Sequence, residues 1–124
     1  MKILVVDDER DIQTLFEQRF RKEMRDKQVE FVFALSGEEA MSYLSDHETE
    51  HEAVLILSDI NMPGMSGLEL LDHIKQKYHK PPPVVMMITA YGDGENFKIA
   101  KELGADDFLT KPIDFTLLKE KLKL

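Results

Sequence analysis

The sequence predicts a doubly wound α/β fold, with five parallel strands between two helical layers, in the 2-1-3-4-5 order common to such sheets. Three observations carry this reading. Short runs such as Lys2 to Val6 are apolar on both faces, which only a sheet covered on both sides requires. Between these runs the apolar spacing lengthens to a helical period. The alternation of the two patterns is strict, with no repeat, low-complexity segment or internal linker.

The elements follow in order. Lys2 to Val6 is rich in β-branched residues and reads as the first strand. Ile12, Leu15, Phe16, Arg19, Phe20 and Met24 then recur at helical spacing, with the stem of Arg19 the only polar member of the stripe. Val29 to Leu35 reads as a strand with Val29, Phe31, Phe33 and Leu35 on one face and Val32 and Ala34 on the other. Ser36-Gly37-Glu38-Glu39 is a capping box, in which a hydroxyl and a Glu three residues on satisfy each other's end groups. Ala53 to Leu57 is the third strand. A second capping box, Ser66-Gly67-Leu68-Glu69, opens a helix that turns Leu68, Leu71, Ile74 and Tyr78 inward. Pro81-Pro82-Pro83 forbids helix and forces an extended lead into the fourth strand, Val84 to Ile88. A fourth helix, from about Asp93 to Leu103, stops at Gly104, a natural residue for the turn that ends a helix. Asp107 to Leu109 is the fifth strand, and a fifth helix starts near Asp114 with Phe115, Leu117, Leu118 and Leu122 inward.

Composition narrows the function classes. The 124 residues fit one domain, spanning 1–124. Cysteine is absent, which excludes a disulfide scaffold, thiolate-bound zinc and a thiol nucleophile. A net charge of −8 argues against direct binding of nucleic acid or anionic lipid, since both want a basic stripe. No apolar run reaches membrane length and no signal-peptide pattern follows Met1, so a cytoplasmic protein is expected.

Polar residues collect at the carboxyl ends of the strands. They are Asp7 and Asp8 after the first, Asp59 after the third, Thr89 after the fourth and Lys111 after the fifth. Open α/β sheets bind ligands at that edge, where the strand order reverses, and here the reversal lies between strands one and three. Three carboxylates gathered there resist joint ionisation without a counter-charge, and a hard divalent cation such as Mg²⁺ resolves this. Aspartate can form an acyl phosphate, so Asp59 is a candidate nucleophile. Phosphoryl transfer asks mainly for positioning and charge neutralisation, which a metal, the Lys111 ammonium and the Thr89 hydroxyl could share.

Four stretches resemble the receiver domain of two-component response regulators, in order and spacing: Val5-Val6-Asp7-Asp8-Glu9, Ser58 to Gly67, Thr89-Ala90 and Lys111-Pro112. The likeness covers residues 1–124 and implies the flavodoxin-like (βα)5 fold. It also implies that Asp59 is the phosphoacceptor and that Asp8, Asp59 and the Asn61 backbone carbonyl bind Mg²⁺ directly, with Asp7 acting through a water. Lys111 would pair with the phosphoryl group, Thr89 would be the switch hydroxyl and Phe108 the partner aromatic. Lys111-Pro112 would be the family's cis peptide. By the same resemblance, Asn61 and Tyr91 would occupy the positions that tune loss of the phosphoryl group in that family. The donor would be a histidine kinase or a phosphotransfer protein. The output face would be the fourth helix, fifth strand and fifth helix, holding Phe97, Lys98, Lys101 and Phe108, for a homodimer or another partner. The domain would catalyse only its own phosphorylation and dephosphorylation. The resemblance leaves open whether it stands alone or belongs to a larger regulator.

Rival readings fare worse. A flavin or nucleotide binder on the same fold wants Gly, Ser or Thr after the first strand, where this chain has Asp7-Asp8-Glu9. A phosphatase with an aspartate nucleophile usually has a second Asp two residues on, where this chain has Asn61. His47-Glu48-Thr49-Glu50-His51 matches the zinc-protease pattern literally, but lies at the opposite edge from the polar cluster and reads as a solvated connection. Asp59 to Gly64 begins like a calcium loop, but Pro63 and Leu70 stand where ligands belong.

Overall fold

The computed structural model describes residues 1–47, 54–77, 83–90 and 92–124. The elements are β1 (Lys2–Val6), α1 (Asp11–Arg19), α2 (Arg21–Arg25), β2 (Glu30–Ala34), α3 (Gly37–Asp46), β3 (Val54–Asp59), α4 (Gly67–Lys77), β4 (Val84–Thr89), α5 (Gly94–Glu102), β5 (Asp107–Thr110) and α6 (Phe115–Leu122). The strands form one parallel sheet in the order β2-β1-β3-β4-β5, as expected.

Alternation along each strand divides the core in two. Ile3, Val5, Leu57, Met86 and Ile88 face α1 and α6, where they meet Phe16, Phe20, Leu118 and Leu122. Leu4, Val6, Ile56, Val85 and Met87 face α3, α4 and α5, where they meet Ala40, Leu44, Leu70, Leu71, Ile74 and Ala100. A strand with both faces buried has no use for polar residues until it leaves the sheet, so the apolar runs mark it well.

Several elements differ in detail from the sequence reading. The first helix is two: at Phe20 the backbone turns to φ −109° and ψ 19°. The apolar stripe continues because the Phe20 N–H still bonds the Phe16 carbonyl and the Met24 N–H bonds that of Phe20. Phe16 and Phe20 stack with centroids 5.9 Å apart, against the edges of Phe31 and Phe115. Arg19 is exposed, with its guanidinium 5.6 Å from the Phe115 ring.

In α4 the buried stripe is Gly67, Leu70, Leu71 and Ile74, with Leu68 half-buried at its margin. Leu117, expected inward, is 42% exposed, because Phe115, Leu118 and Leu122 already fill the face of α6 that meets the sheet. Strands β3, β4 and β5 each run one or two residues beyond their apolar cores and so take Ser58, Asp59, Thr89 and Thr110 into the ladder. Ala53, Tyr78, Pro81, Pro82 and Tyr91 lie outside the described residues.

Both helix starts are capped by their serines, with Ser36 Oγ accepting from the Glu39 N–H at 3.0 Å and Ser66 Oγ from the Glu69 N–H at 3.2 Å. The return contact of the first box is displaced by one residue: the Glu39 carboxylate accepts from the Leu35 N–H at 2.7 Å.

The edge opposite the polar cluster is fastened by Asp106. Its Oδ2 accepts from the Val85 N–H and from Lys75 Nζ, each at 2.8 Å, while its own N–H bonds the Val85 carbonyl. Lys75 Nζ also donates to the Pro83 carbonyl at 3.0 Å, so α4, β4 and β5 meet at one carboxylate. Asp106→Ala orphans the Val85 N–H and is expected to cost about 2 kcal/mol. Urea unfolding should show the loss as a lower midpoint with an unchanged slope.

Candidate functional site

The strand order brings together side chains far apart in the chain. Asp7 follows β1, Asp59 ends β3, Thr89 ends β4, and Lys111 follows β5. Asp7 is 3% exposed, and Asp59 and Thr89 are each 4% exposed, although all are polar; Asp8 stands exposed at the rim. Ligand-competent oxygens of Asp7, Asp8 and Asp59 lie within 4.8 Å of one another. Among the described residues this is the acidic or histidine group able to hold a metal ion.

Hydrogen bonds position the carboxylates unequally. The Asp7 N–H bonds the Ala34 carbonyl at 3.1 Å, and Asp7 Oδ1 accepts from the Glu9 N–H at 2.9 Å. Asp59 Oδ1 accepts from the Asn61 N–H at 3.3 Å, and Asp59 Oδ2 accepts from Lys111 Nζ at 2.6 Å. Lys111 Nζ is 3.9 Å from Asp7 Oδ2, within reach as a charge but too far for a hydrogen bond. Asp7 Oδ2 is therefore buried without a hydrogen-bond partner.

That orphaned oxygen is the test of whether these residues fit a cation. A buried carboxylate oxygen without a donor is costly, and one lysine between two acids leaves a net negative charge in the pocket. Carboxylates supply the hard oxygen donors that a small divalent ion prefers, so the residues fit one. The Asn61 N–H donates to Asp59, which places the Ile60–Asn61 peptide, and with it this exposed residue, beside the pocket.

Electrostatics agree. Burial raises the Asp7 carboxyl above its ordinary value; the Asp59 and Glu9 charges add to the rise, while the Glu9 N–H and Lys111 oppose it. For Lys111, burial pulls downward but is outweighed by the Asp59 hydrogen bond and charge, with Asp7 and Glu9 helping, so its ammonium is held above the usual lysine value.

The Asp7 shift has a definite sign for stability. An acid whose folded-state value is raised has no effect below its unfolded value of 3.8, destabilises increasingly as pH rises toward the folded value, and does so fully above that. Metal-free Asp7→Asn is therefore expected to melt a few degrees above the native chain at neutral pH. Melting curves should converge as pH falls toward 4, the ordinary range of a carboxyl.

The remaining residues of the cluster are placed as follows. Thr89 Oγ1 donates to the Leu109 carbonyl on β5 at 3.4 Å, so its hydroxyl is held by the neighbouring strand and not by a carboxylate. The Lys111 N–H bonds the Thr89 carbonyl at 2.9 Å, and the Lys111–Pro112 peptide is cis. Phe108 is half-buried, with its ring 4.3 Å from that of Phe97, which is 41% exposed. Beside Lys111 a cleft of about 750 Å³ opens between α1 and the start of α6, lined by Glu9, Ile12, Leu15, Arg19, Pro112 and Phe115 among others.

Two residues of the Ser58 to Gly67 stretch make contacts that the sequence did not specify. Ser58 is fully buried and its hydroxyl donates to the Asp59 carbonyl at 3.0 Å; a serine inside an apolar run was the available signal. Gly67 lies so close to β3 that an added Cβ would sit 2.0 Å from the Asp59 carbonyl oxygen, and its N–H bonds the Ile60 carbonyl at 2.8 Å. Of the zinc-protease-like motif only His47 is described; its ring stacks 4.1 Å from Tyr43 and Nδ1 lies 2.7 Å from the Tyr43 carbonyl oxygen.

Comparison with known proteins gives a consistent answer. The family model for the response regulator receiver domain matches residues 3–123. The receiver domain of NtrX from Brucella abortus superposes with a TM-score of 0.78 at 32% identity, over 98% of this chain and 94% of that one. A response regulator receiver protein from Pseudomonas putida gives 0.81 at 27% identity, over 98% and 94% of the two chains. A Thermotoga maritima protein named cyclic di-GMP phosphodiesterase is 40% identical over 89 residues, which are 72% of this chain but 22% of that protein. No helix among the described residues is long and apolar enough to cross a membrane. Family match and fold agree over almost the whole chain, which belongs to the response regulator receiver domains of two-component systems.

Proposed function

We propose that this chain, over residues 1–124, is a phosphorylation-controlled switch whose acceptor is Asp59. The observation that carries the reading is the pairing of a lysine-bound acceptor, Asp59 Oδ2 to Lys111 Nζ at 2.6 Å, with the unpartnered Asp7 Oδ2 beside it. In the reaction an Asp59 carboxylate oxygen bonds to phosphorus as the bond from phosphorus to a donor imidazole nitrogen breaks. The nitrogen keeps the electron pair. A histidine kinase or a phosphotransfer protein would supply the phosphohistidine, and the cleft beside Lys111 gives such a partner room to approach.

Asp8, Asp59 and the Asn61 carbonyl would hold Mg²⁺, with Asp7 acting through a water. The ion would supply positive charge to the carboxylates and to the oxygens of the transferring group. Lys111 already lies on the acceptor oxygen and meets the incoming group as a second cation. Thr89 would exchange its 3.4 Å bond to the Leu109 carbonyl for one to the phosphoryl group. Phe108, packed on the exposed Phe97, would respond by turning inward and so change the α5–β5–α6 surface, where Lys98 and Lys101 also lie. That surface would meet a second copy or an effector. Slow attack by water would reset the switch, so the chemistry is confined to the domain's own aspartate. A cytoplasmic setting, where such kinases present phosphohistidine, suits this role.

The test is incubation with Mg²⁺ and a small acyl-phosphate donor. The native chain should gain one phosphoryl mass, labile to base, and Asp59→Asn should gain none. Stable labelling of the variant would remove Asp59 from the acceptor role.

A further inference from the structure

The segment between β3 and α4 is held on its site side by the Asn61 N–H on Asp59 Oδ1 and below by the Gly67 N–H on the Ile60 carbonyl. Its outer side is held from a different helix. Glu38, in the first turn of α3, accepts from the Met65 N–H through Oε1 at 3.2 Å, across 27 residues of sequence. The other oxygen, Glu38 Oε2, lies where a side chain on Gly64 would come within 2.9 Å, and Gly64 has φ +73°. One turn position away, Gly37 seats the Met65 side chain, whose Cγ and Sδ would each be 2.9 Å from an added Cβ. Glu39 has no share in this, since its carboxylate is engaged with the Leu35 N–H of its own helix start.

The same helix start also reaches the first carboxylate. Ala34, the last residue of β2, accepts the Asp7 N–H, and two residues later Ser36 caps α3. The β2–α3 junction therefore touches both walls of the pocket: the Asp7 segment through Ala34, and the Asn61 segment through Glu38.

We infer that Glu38 is a positioning residue for the metal and phosphoryl site, holding the β3–α4 segment so that the Asn61 carbonyl stays where an ion bound by the carboxylates can use it. The inference rests on the proposed reading of Asp59 and Asn61. Glu38 acts through the Met65 N–H alone and touches no reacting atom. Partners of this kind commonly change metal affinity or activity by about ten-fold or more when removed.

The experiment compares Glu38→Ala and Glu38→Gln with the native chain in three measurements: Mg²⁺ affinity by calorimetric titration, labelling rate of Asp59 by a small acyl phosphate, and Met65 amide exchange without metal. The alanine variant should bind Mg²⁺ and label about ten-fold less well, and its Met65 amide should exchange faster. The glutamine variant keeps an oxygen acceptor while losing the charge, so it should behave as the native chain does. That arm separates the hydrogen bond from any effect of the acid on the helix N-terminus. An alanine variant that binds Mg²⁺ within two-fold of native overturns the inference, as does a glutamine variant impaired as much as alanine. Mg²⁺ affinity and Met65 exchange can be read even if Asp59 is never labelled, so failure of the acceptor reading and failure of the tether are told apart.

Discussion

Gly67→Ala is expected to be the most damaging single methyl group that can be added to this chain. The new Cβ would lie 2.0 Å from the Asp59 carbonyl oxygen and 2.7 Å from Ile60 Cα, both backbone atoms that no rotamer change can move. Either α4 lifts from the sheet, exposing Leu70 and Leu71, or the end of β3 shifts and carries Asp59 with it. Overpacking of this kind costs about 3 kcal/mol or more. For a domain of this size that lowers Tm by roughly 10 °C. Where the variant still folds, displacing the acceptor by even 1 Å should slow labelling about a hundredfold. Gly37→Ala is the control, because its Cβ meets the flexible Met65 side chain and should cost about 1 kcal/mol. Thermal melts and labelling rates of the two variants side by side decide the matter. A Gly67→Ala chain with native Tm would mean that helix and strand do not meet this closely.

Lys111→Met should slow labelling of Asp59 about a hundredfold, the usual effect of removing one positioned donor from developing charge. Metal-free stability should fall too, because Asp59 and Asp7 lose the cation that offsets them. The fall should stay below that of a fully buried pair, since the lysine side chain is 34% exposed and solvent screens it. The pH dependence has a fixed sign. A lysine held above its ordinary value of 10.5 contributes fully below that pH and loses its contribution only as pH rises through the raised value. The stability gap between native and variant attributable to Lys111 should therefore persist through the neutral range and close in strong alkali. Added Mg²⁺ should stabilise the variant more than the native chain, because without the lysine charge on Asp59 and Asp7 the acidic pocket binds the cation more tightly. A variant that labels at the native rate would remove Lys111 from the reaction.

The sequence was most legible where burial is two-sided. Val84 to Ile88 could be read as a strand because both its faces needed apolar residues, and the first polar residue after it marked the working edge. The acid pocket was legible for the same reason, since Asp7, Asp59 and Thr89 each stand at the end of such a run. Strand order entered as the common 2-1-3-4-5 arrangement of such sheets, because no periodicity states which strand lies beside which. The break at Phe20 was hidden by a stripe that keeps its helical spacing across the interruption. Leu117 looked equivalent to Leu118, since hydropathy does not say which of two adjacent leucines a helix turns inward. The Glu38 contact with Met65 joins the first turn of α3 to the segment before α4, with the rest of α3 and β3 between them in sequence, and no local pattern encodes it.

The two ends of the sheet are built to different stiffness. At one end Asp106 grips β4 and α4 through 2.8 Å bonds that join three elements. At the other, the side-chain link between the strands is the Thr89 hydroxyl on the Leu109 carbonyl at 3.4 Å, beside the backbone bond of the Lys111 N–H to the Thr89 carbonyl at 2.9 Å. Side chains thus clamp the β4–β5 pair tightly at its root, while at its tip they add one long bond to the backbone ladder. Phe108, level with Met87, stands nearer the root than the tip, with its ring against that of Phe97.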